Sequence, residues 1–304
     1  MEQSAHPLQQ PDLTERIEHA VSGHLGQPWC VAQFQDLSDL ASHPSALLSG
    51  HGATVFAKFS RALNAIDQFE AEMLGLKFIF DQSGVSIPSP IGIVSSEDGA
   101  ALLLEAVEAV ERTPQRWRQI GQALARMHLI KGDQFGLHLH GYFGSLYQDN
   151  RPVTSSGTDW PTFYAERRLW PRLIGAIDAG HLPIAIARKV ETVIARFPQL
   201  CGPAITPALI HGDAQKNNFI SAAHGAVVVD PSVHFAHPEI DLAQLDYFEP
   251  VPDDVFDGYR DVAPIDPGFA ERKPLWRLST DLAVVMAGGV EYLPRLIESV
   301  EPYL

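Results

Sequence analysis

Asp213, Asn218 and Asp230 are the residues whose types and spacing could do chemistry. Asp213 closes His211-Gly212-Asp213, directly after the apolar pair Leu209-Ile210, Asn218 follows shortly after, and Asp230 ends the apolar run Val227-Val228-Val229. The chain leaves this polar knot through Phe219-Ile220, turns at His224-Gly225 and returns along that run, which is the pattern of a β-hairpin. Such a hairpin would bring the two acids and the amide towards one point. Two carboxylates and an amide oxygen are hard oxygen ligands, suited to Mg²⁺ and to a substrate hydroxyl. Phosphoryl transfer uses that set: one Asp beside the accepting hydroxyl, then an Asn and a second Asp for the metal. A polar surface turn is the plainer alternative, since Asp and Asn are common turn formers. The coincidence of His211, Gly212, Asp213 and Asn218 with an Asp at a strand end favours chemistry.

His211-Gly212-Asp213, Asn218 and Asp230-Pro231 resemble the catalytic and metal-binding segments of the aminoglycoside phosphotransferase and choline kinase superfamily. The continuation from Asp230 through Pro238-Glu239-Ile240-Asp241-Leu242-Ala243 resembles the fructosamine (ketosamine) kinase family, with its Glu-x-Asp-Leu-Ala motif, and the similarity runs from about residue 15 to residue 295. The resemblance implies an α+β, two-lobed protein-kinase-like fold. Its small β-rich nucleotide-binding lobe would span residues 1–104, and a larger, mainly helical catalytic and acceptor-binding lobe residues 105–304. It also implies ATP and Mg²⁺ as cofactors, Asp213 as the residue facing the acceptor hydroxyl, and Asn218 and Asp230 as metal ligands. His211 would anchor the catalytic turn, and Asp241 would hold that turn by its backbone.

The elements that must position these residues follow from the pattern. Residues 13–25 have helical spacing, and 31–40 and 46–48 read as short strands. In the strand 54–59, Val55, Ala57 and Phe59 share one face and Lys58 takes the other. A lone strand lysine is commonly an exposed solubilising residue; the resemblance instead makes Lys58 the lysine that reaches the α/β-phosphates of ATP. Ile66, Phe69, Met73, Leu76, Ile79 and Phe80 form a helical stripe over 66–80. On that helix Glu70 and Glu72 compete for Lys58, at positions roughly 200° apart, and the family pattern counted from Phe69 selects Glu72. The family carries a glycine-rich strand-turn-strand ahead of its lysine strand, whereas residues 35–44 contain no glycine and include Asp36 and Asp39. Ser38 and Ser42 are the candidate donors in its place. Gly50-His51-Gly52 reads as the turn before the lysine strand.

Ala100 to Leu104 reads as a buried strand, and Glu105-Ala106-Val107 as the connection whose backbone meets the adenine edge in the resembled fold. Thr113-Pro114 opens a helix with Pro at its first position; Trp117, Ile120, Leu124 and Met127 form its stripe, and His128 ends it as a packing residue. The family's Asp-Asn beside the acceptor is His140-Gly141 here. Trp160 and Phe163 lie in an aromatic segment over 158–173, where salt links to surface acids account for Arg167 and Arg168 as well as substrate binding does. Helices follow over 183–197, 255–259 and 271–287, the last being the final helix, from which Trp276 and Arg277 could line a cleft.

Composition is compatible with this reading. The chain has 304 residues and a formal net charge of −15, which argues against nucleic acid or an anionic membrane as the main partner but not against a cationic amine. Cys30 and Cys201 make no disulfide framework, the start has no secretory pattern, and a reducing cytoplasm is the expected setting. The expected activity is an ATP-dependent small-molecule kinase, with a ketosamine hydroxyl on a glycated amine or protein as acceptor. The alternatives are the same fold acting on another cationic amino alcohol or an aminoglycoside, an inactive nucleotide-binding scaffold, and a metal-dependent phosphate-ester hydrolase.

Overall fold

A computed structural model of the protein describes residues 6–40, 43–153 and 159–304. Helix α1 (Pro11–Leu25) opens on Pro11 and ends at Gly26, whose φ of 68° suits the left-handed position after a helix. Five antiparallel strands follow: β1 (Gln33–Asp36), β2 (Ser45–Gly50), β3 (Ala53–Ser60) and, after helix α2 (Ala65–Ser83), β4 (Pro90–Ser96) and β5 (Gly99–Glu105). They form one sheet in the order β1-β2-β3-β5-β4. Side-chain alternation divides its faces. Val55, Ala57, Phe59, Ala101 and Leu103 pack with Leu13, Ile17 and Val21 of α1, while Leu102 and Leu104 pack with Phe69 and Leu76 of α2. Lys58, directly opposite Leu102 in the β3–β5 register, therefore points to the α2 side.

β1 is shorter than the run 31–40 suggests. Asp36 Oδ1 accepts the Ser38 amide proton at 2.8 Å, a local turn that ends the strand and starts the 3₁₀ turn Ser38–Leu40. Ser42 lies outside the described residues. On α2, Ile66 and Phe80 are exposed although they fall on the expected stripe. The buried face of this helix is shared with Gln68, Ala71, Glu72 and Gly75, because it closes over a polar cleft.

The larger lobe begins with α3 (Pro114–Leu129), capped by the Thr113 side chain. The hairpin β6 (Gly141–Phe143)–β7 (Leu146–Gln148) comes next, then α4 (Trp160–Tyr164), a π-helical turn over Ala165–Leu169, α5 (Trp170–Asp178) and α6 (Ile184–Leu200). Thr158, where the aromatic segment was expected to start, lies outside the described residues. β8 (Ala208–Ile210) carries the chain into the polar knot, and the expected hairpin is β9 (Phe219–Ala222) with β10 (Gly225–Val228). β8 itself pairs with β11 (His234–Ala236). Helices α7 (Glu239–Gln244), α8 (Asp254–Arg260) and α9 (Phe269–Met286) complete the core. A further helix, α10 (Leu293–Val300), follows α9 and buries Leu296 and Val300. Arg168 is buried and bonded to the Asp149 carbonyl, Asn150 and His234, so no surface acid accounts for it; Arg167 does meet Asp149, at 3.3 Å. Arg277 turns to Asp246 and the Ala243 carbonyl rather than to a cleft. No helix among the described residues is long and apolar enough to cross a membrane.

Candidate active site

Lys58 reaches the cleft from the middle of β3. Its Nζ lies 2.5 Å from Glu72 Oε2 on α2 and 2.9 Å from Asp230 Oδ1, which belongs to the other lobe. Glu72, not Glu70, is therefore the ion-pair partner. Lys58 and Glu72 are buried. Burial alone would lower the lysine pKa, but Asp230 and Glu72 outweigh it and keep Lys58 charged. Asp230 shows the reciprocal result, its pKa held below the ordinary value because Lys58 overcomes the effect of burial. At Glu72 burial wins over the pull of Lys58, and the shift is upward.

The turn that carries Asp213 is held from below. Gly212 has φ +80°, and a Cβ there would run into the Ser232 carbonyl, so the backbone passes where only glycine fits. Asp241, fully buried near the start of α7, accepts the His211 amide proton at 2.6 Å and that of Gly212 at 3.0 Å, with His128 Nε2 3.1 Å away. The other ring nitrogen of His128 meets the Tyr259 hydroxyl. His211 ties the turn sideways: its Nδ1 accepts from the Asp213 amide and its Nε2 meets the Val229 carbonyl at 3.0 Å. Asn218 Nδ2 donates to the Asp213 carbonyl at 2.8 Å, which fixes its amide plane. Asp230 has φ +55° and is the one described residue other than glycine with positive φ. Asp tolerates this region better than most residues, and such backbone outliers concentrate at functional sites.

Asp213, Asp230 and Glu72 line one cavity together with His43, Gln68, Tyr142, Gly144 and Pro231. Burial, then the nearby Asp230 charge, pushes the Asp213 pKa up to about 8. Lys58 answers only part of the negative charge gathered here, and a divalent cation would relieve the rest. Among the described residues no three of His, Cys, Asp and Glu converge as a metal cage. Two carboxylates and an amide suit an ion such as Mg²⁺, which takes few protein ligands and completes its shell with phosphate and water. The residues present thus fit Mg²⁺.

At the lobe connection the Glu105 carboxylate turns outward to His24, 3.1 Å away, and the Glu105 amide donates to the Ser89 carbonyl. The Ala106 amide donates to Thr54, whereas Val107 makes no backbone hydrogen bond among the described residues.

Residues 13–304 match the model of a family described as Fructosamine kinase. The chain belongs to the fructosamine kinase family. It is 30% identical over 276 residues to a Synechocystis sp. protein named "Probable ketoamine kinase", covering 90% of each chain. A Thermobifida fusca crystal structure described as "putative fructosamine-3-kinase" superposes with a TM-score of 0.80 at 33% identity, over 94% of this chain and 97% of that one. The Streptococcus pneumoniae choline kinase LicA shares the fold at a TM-score of 0.62 and 14% identity, over 96% and 98% of the two chains.

In this fructosamine kinase family member several cleft residues carry no motif. His43 comes from the glycine-free β1–β2 connection. Gln68 lies one helical turn before Glu72, a spacing that puts both on one face, and donates to the Gly144 carbonyl at 2.9 Å. Tyr142 enters from the β6–β7 hairpin, and its hydroxyl bonds Asp67. Asp67 also meets His140, at 3.0 Å, so the His140-Gly141 substitution ties the hairpin to α2. The Gln68 spacing was visible in the sequence; nothing local marked Tyr142.

Proposed function

We propose that the protein is an ATP- and Mg²⁺-dependent kinase that phosphorylates a hydroxyl of a ketosamine, a sugar-amine of the fructosamine type. The observation that carries this reading is the three-way contact of Lys58 with Glu72 and Asp230 at the wall of the cavity that also holds Asp213. A hydrolase acting without nucleotide would have no use for a buried lysine brought from a separate lobe.

Each role follows from chemistry. Asp213 orients the acceptor hydroxyl and takes its proton late, as charge develops. Lys58, fixed by Glu72, neutralises the α/β-phosphates. Asn218 and Asp230 hold Mg²⁺, which when bound offsets charge on the transferring phosphoryl group. His211 and Asp241 keep the turn rigid so that Asp213 pays little to reach its working position. The backbone at Glu105 and Val107 receives the adenine edge. The nucleotide-binding lobe spans residues 1–104 and the catalytic and acceptor-binding lobe residues 105–304, in one functional unit. The ketosamine acceptor is supported by family membership and by the names of the relatives. Glycated amines or proteins in the cytoplasm are the corresponding partners.

The test is a Mg-ATP-dependent screen of ketosamines, other amino alcohols and aminoglycosides, with products identified by mass and phosphorus NMR. Transfer to a ketosamine is the expected result. Transfer only to the other acceptors would keep the kinase and discard the substrate, and phosphate-ester hydrolysis without ATP would discard both.

A further inference from the structure

Behind the catalytic turn, apart from the cavity that holds Asp213, lies a second cavity walled by Arg168, Arg172, Gly212, His234, Trp276 and Ser279. Its two arginines are 4% and 7% exposed, yet every partner they have among the described residues is neutral. Arg168 donates to the carbonyls of Asp149 and Arg167, to Asn150 Oδ1 and towards His234 Nε2. Arg172 donates to Ser279, through its carbonyl and hydroxyl, and to Gln148 Oε1.

Neither arginine has a carboxylate within ion-pair distance among those residues. The Asp149 carboxylate is shared by Arg151 and Arg167, at 2.8 and 3.3 Å, and it acts on Arg168, as Asp213 acts on Arg172, only at longer range. His234 adds no negative charge; burial and Arg168 push its pKa to about 3, so it stays neutral. Burial, and for Arg168 its neighbour Arg172, lowers the arginine pKa values to about 9 and about 10. Both remain cations near neutral pH. Two desolvated cations with no carboxylate in direct contact are costly, and proteins pair such groups. The cavity has room for a small bound species.

We propose that the cavity between Arg168 and Arg172 is a binding site for a small monovalent anion, with chloride as its ligand. The guanidinium groups supply charge-assisted donors, and Trp276 and Tyr164 line the cavity beside them. The bound anion balances the charge under Gly212 and so supports the turn that carries Asp213. This site is independent of the acceptor assigned above.

Two measurements on the full-length protein test it. Crystals grown in bromide should show an anomalous peak inside this cavity. At constant ionic strength, replacing gluconate by chloride should raise the Tm of the parent protein saturably, by about 3 °C once chloride exceeds its Kd roughly tenfold. Arg172→Gln, which removes one charge and keeps a polar side chain, should lose that chloride-specific rise. A cavity without an anomalous peak, or with bromide found on the surface alone, overturns the proposal. So does a parent Tm that ignores the exchange of gluconate for chloride, whatever the variant does.

Discussion

Asp213 sits in a buried corner beside Asp230, and its proton affinity follows from that position. In an unfolded chain its carboxyl titrates near 4; in the folded protein burial and Asp230 push it up to about 8. The folded state therefore holds a proton that the unfolded state has lost between those values. Stability from this group is fully present below about pH 4 and is lost as pH rises through about 8. In metal-free buffer Asp213→Asn should match the parent at about pH 3.5, below the unfolded pKa, and exceed it by more than about 1 kcal/mol at pH 8.5 in urea titrations. A variant weaker than the parent at both values would show that the carboxylate is not electrostatically strained. The same substitution should slow single-turnover transfer from saturating Mg-ATP by roughly 10²–10⁴-fold while nucleotide affinity is retained; transfer at the parent rate removes Asp213 as the base. Lys58→Met leaves the buried Glu72 and the neighbouring Asp230 without their cation, so it should raise the apparent KM for ATP much more than that for the acceptor in a steady-state assay. Asp213 and Asp230 were legible because their chemistry demands particular side chains at particular spacings, and Lys58 and Glu72 through the family resemblance. Arg172, His43 and Tyr142 were not, since an arginine on a helix or a tyrosine in a hairpin has many uses and only the three-dimensional neighbours select one.

At the scale of elements, the site depends on how closely α3, α7 and α8 pack behind it. Gly121 of α3 faces the Val255 carbonyl and the Tyr259 amide of α8, and Gly258 of α8 faces the Arg118 backbone of α3; a Cβ at either would collide with main chain. The two helices approach by glycine against backbone, which carries His128 and Tyr259 into contact and so supports Asp241. Gly121→Ala should lower stability by about 1–3 kcal/mol, the usual cost of overpacking, measured by urea denaturation. An unchanged midpoint would mean that the helices can separate freely. Strands β3 and β5, and helices α1 and α3, were readable from apolar periodicity and from Pro at the first helical turn. The β8–β11 pairing was not, because three-residue strands carry too little alternation to be told from loops. Helix α10 was hidden by its closeness to the end of α9; of the expected α2 stripe Phe69, Leu76 and Ile79 are buried, while Ile66 and Phe80 at its ends are exposed and polar residues share the buried face beside the cleft.

Across the whole molecule the two lobes meet through polar contacts around one cleft. Lys58 to Asp230, Gln68 to the Gly144 carbonyl, and His140 and Tyr142 to Asp67 all cross between the β-sheet lobe and the helical lobe. Such contacts are individually modest, and a ligand that binds both lobes adds directly to the stability of the assembled form. For Mg-ATP at a hundredfold excess over its Kd the gain is about 2.7 kcal/mol, a rise of several degrees in Tm for a chain of this size. ATP in the presence of EDTA should give much less, because without a metal the triphosphate meets the ionised Asp230 with Lys58 alone to answer it. Asn218→Ala and Asp230→Ala should each erase most of the difference between the Mg²⁺ and EDTA conditions while leaving the ligand-free protein folded by circular dichroism. Asp230→Ala carries a second effect, since it frees Lys58 from one carboxylate and replaces a residue at φ +55°; Asn218→Ala separates metal loss from that change. Equal stabilisation by ATP with and without Mg²⁺ in the parent, followed by differential scanning fluorimetry and calorimetric titration, would remove Asn218 and Asp230 from the metal-binding role.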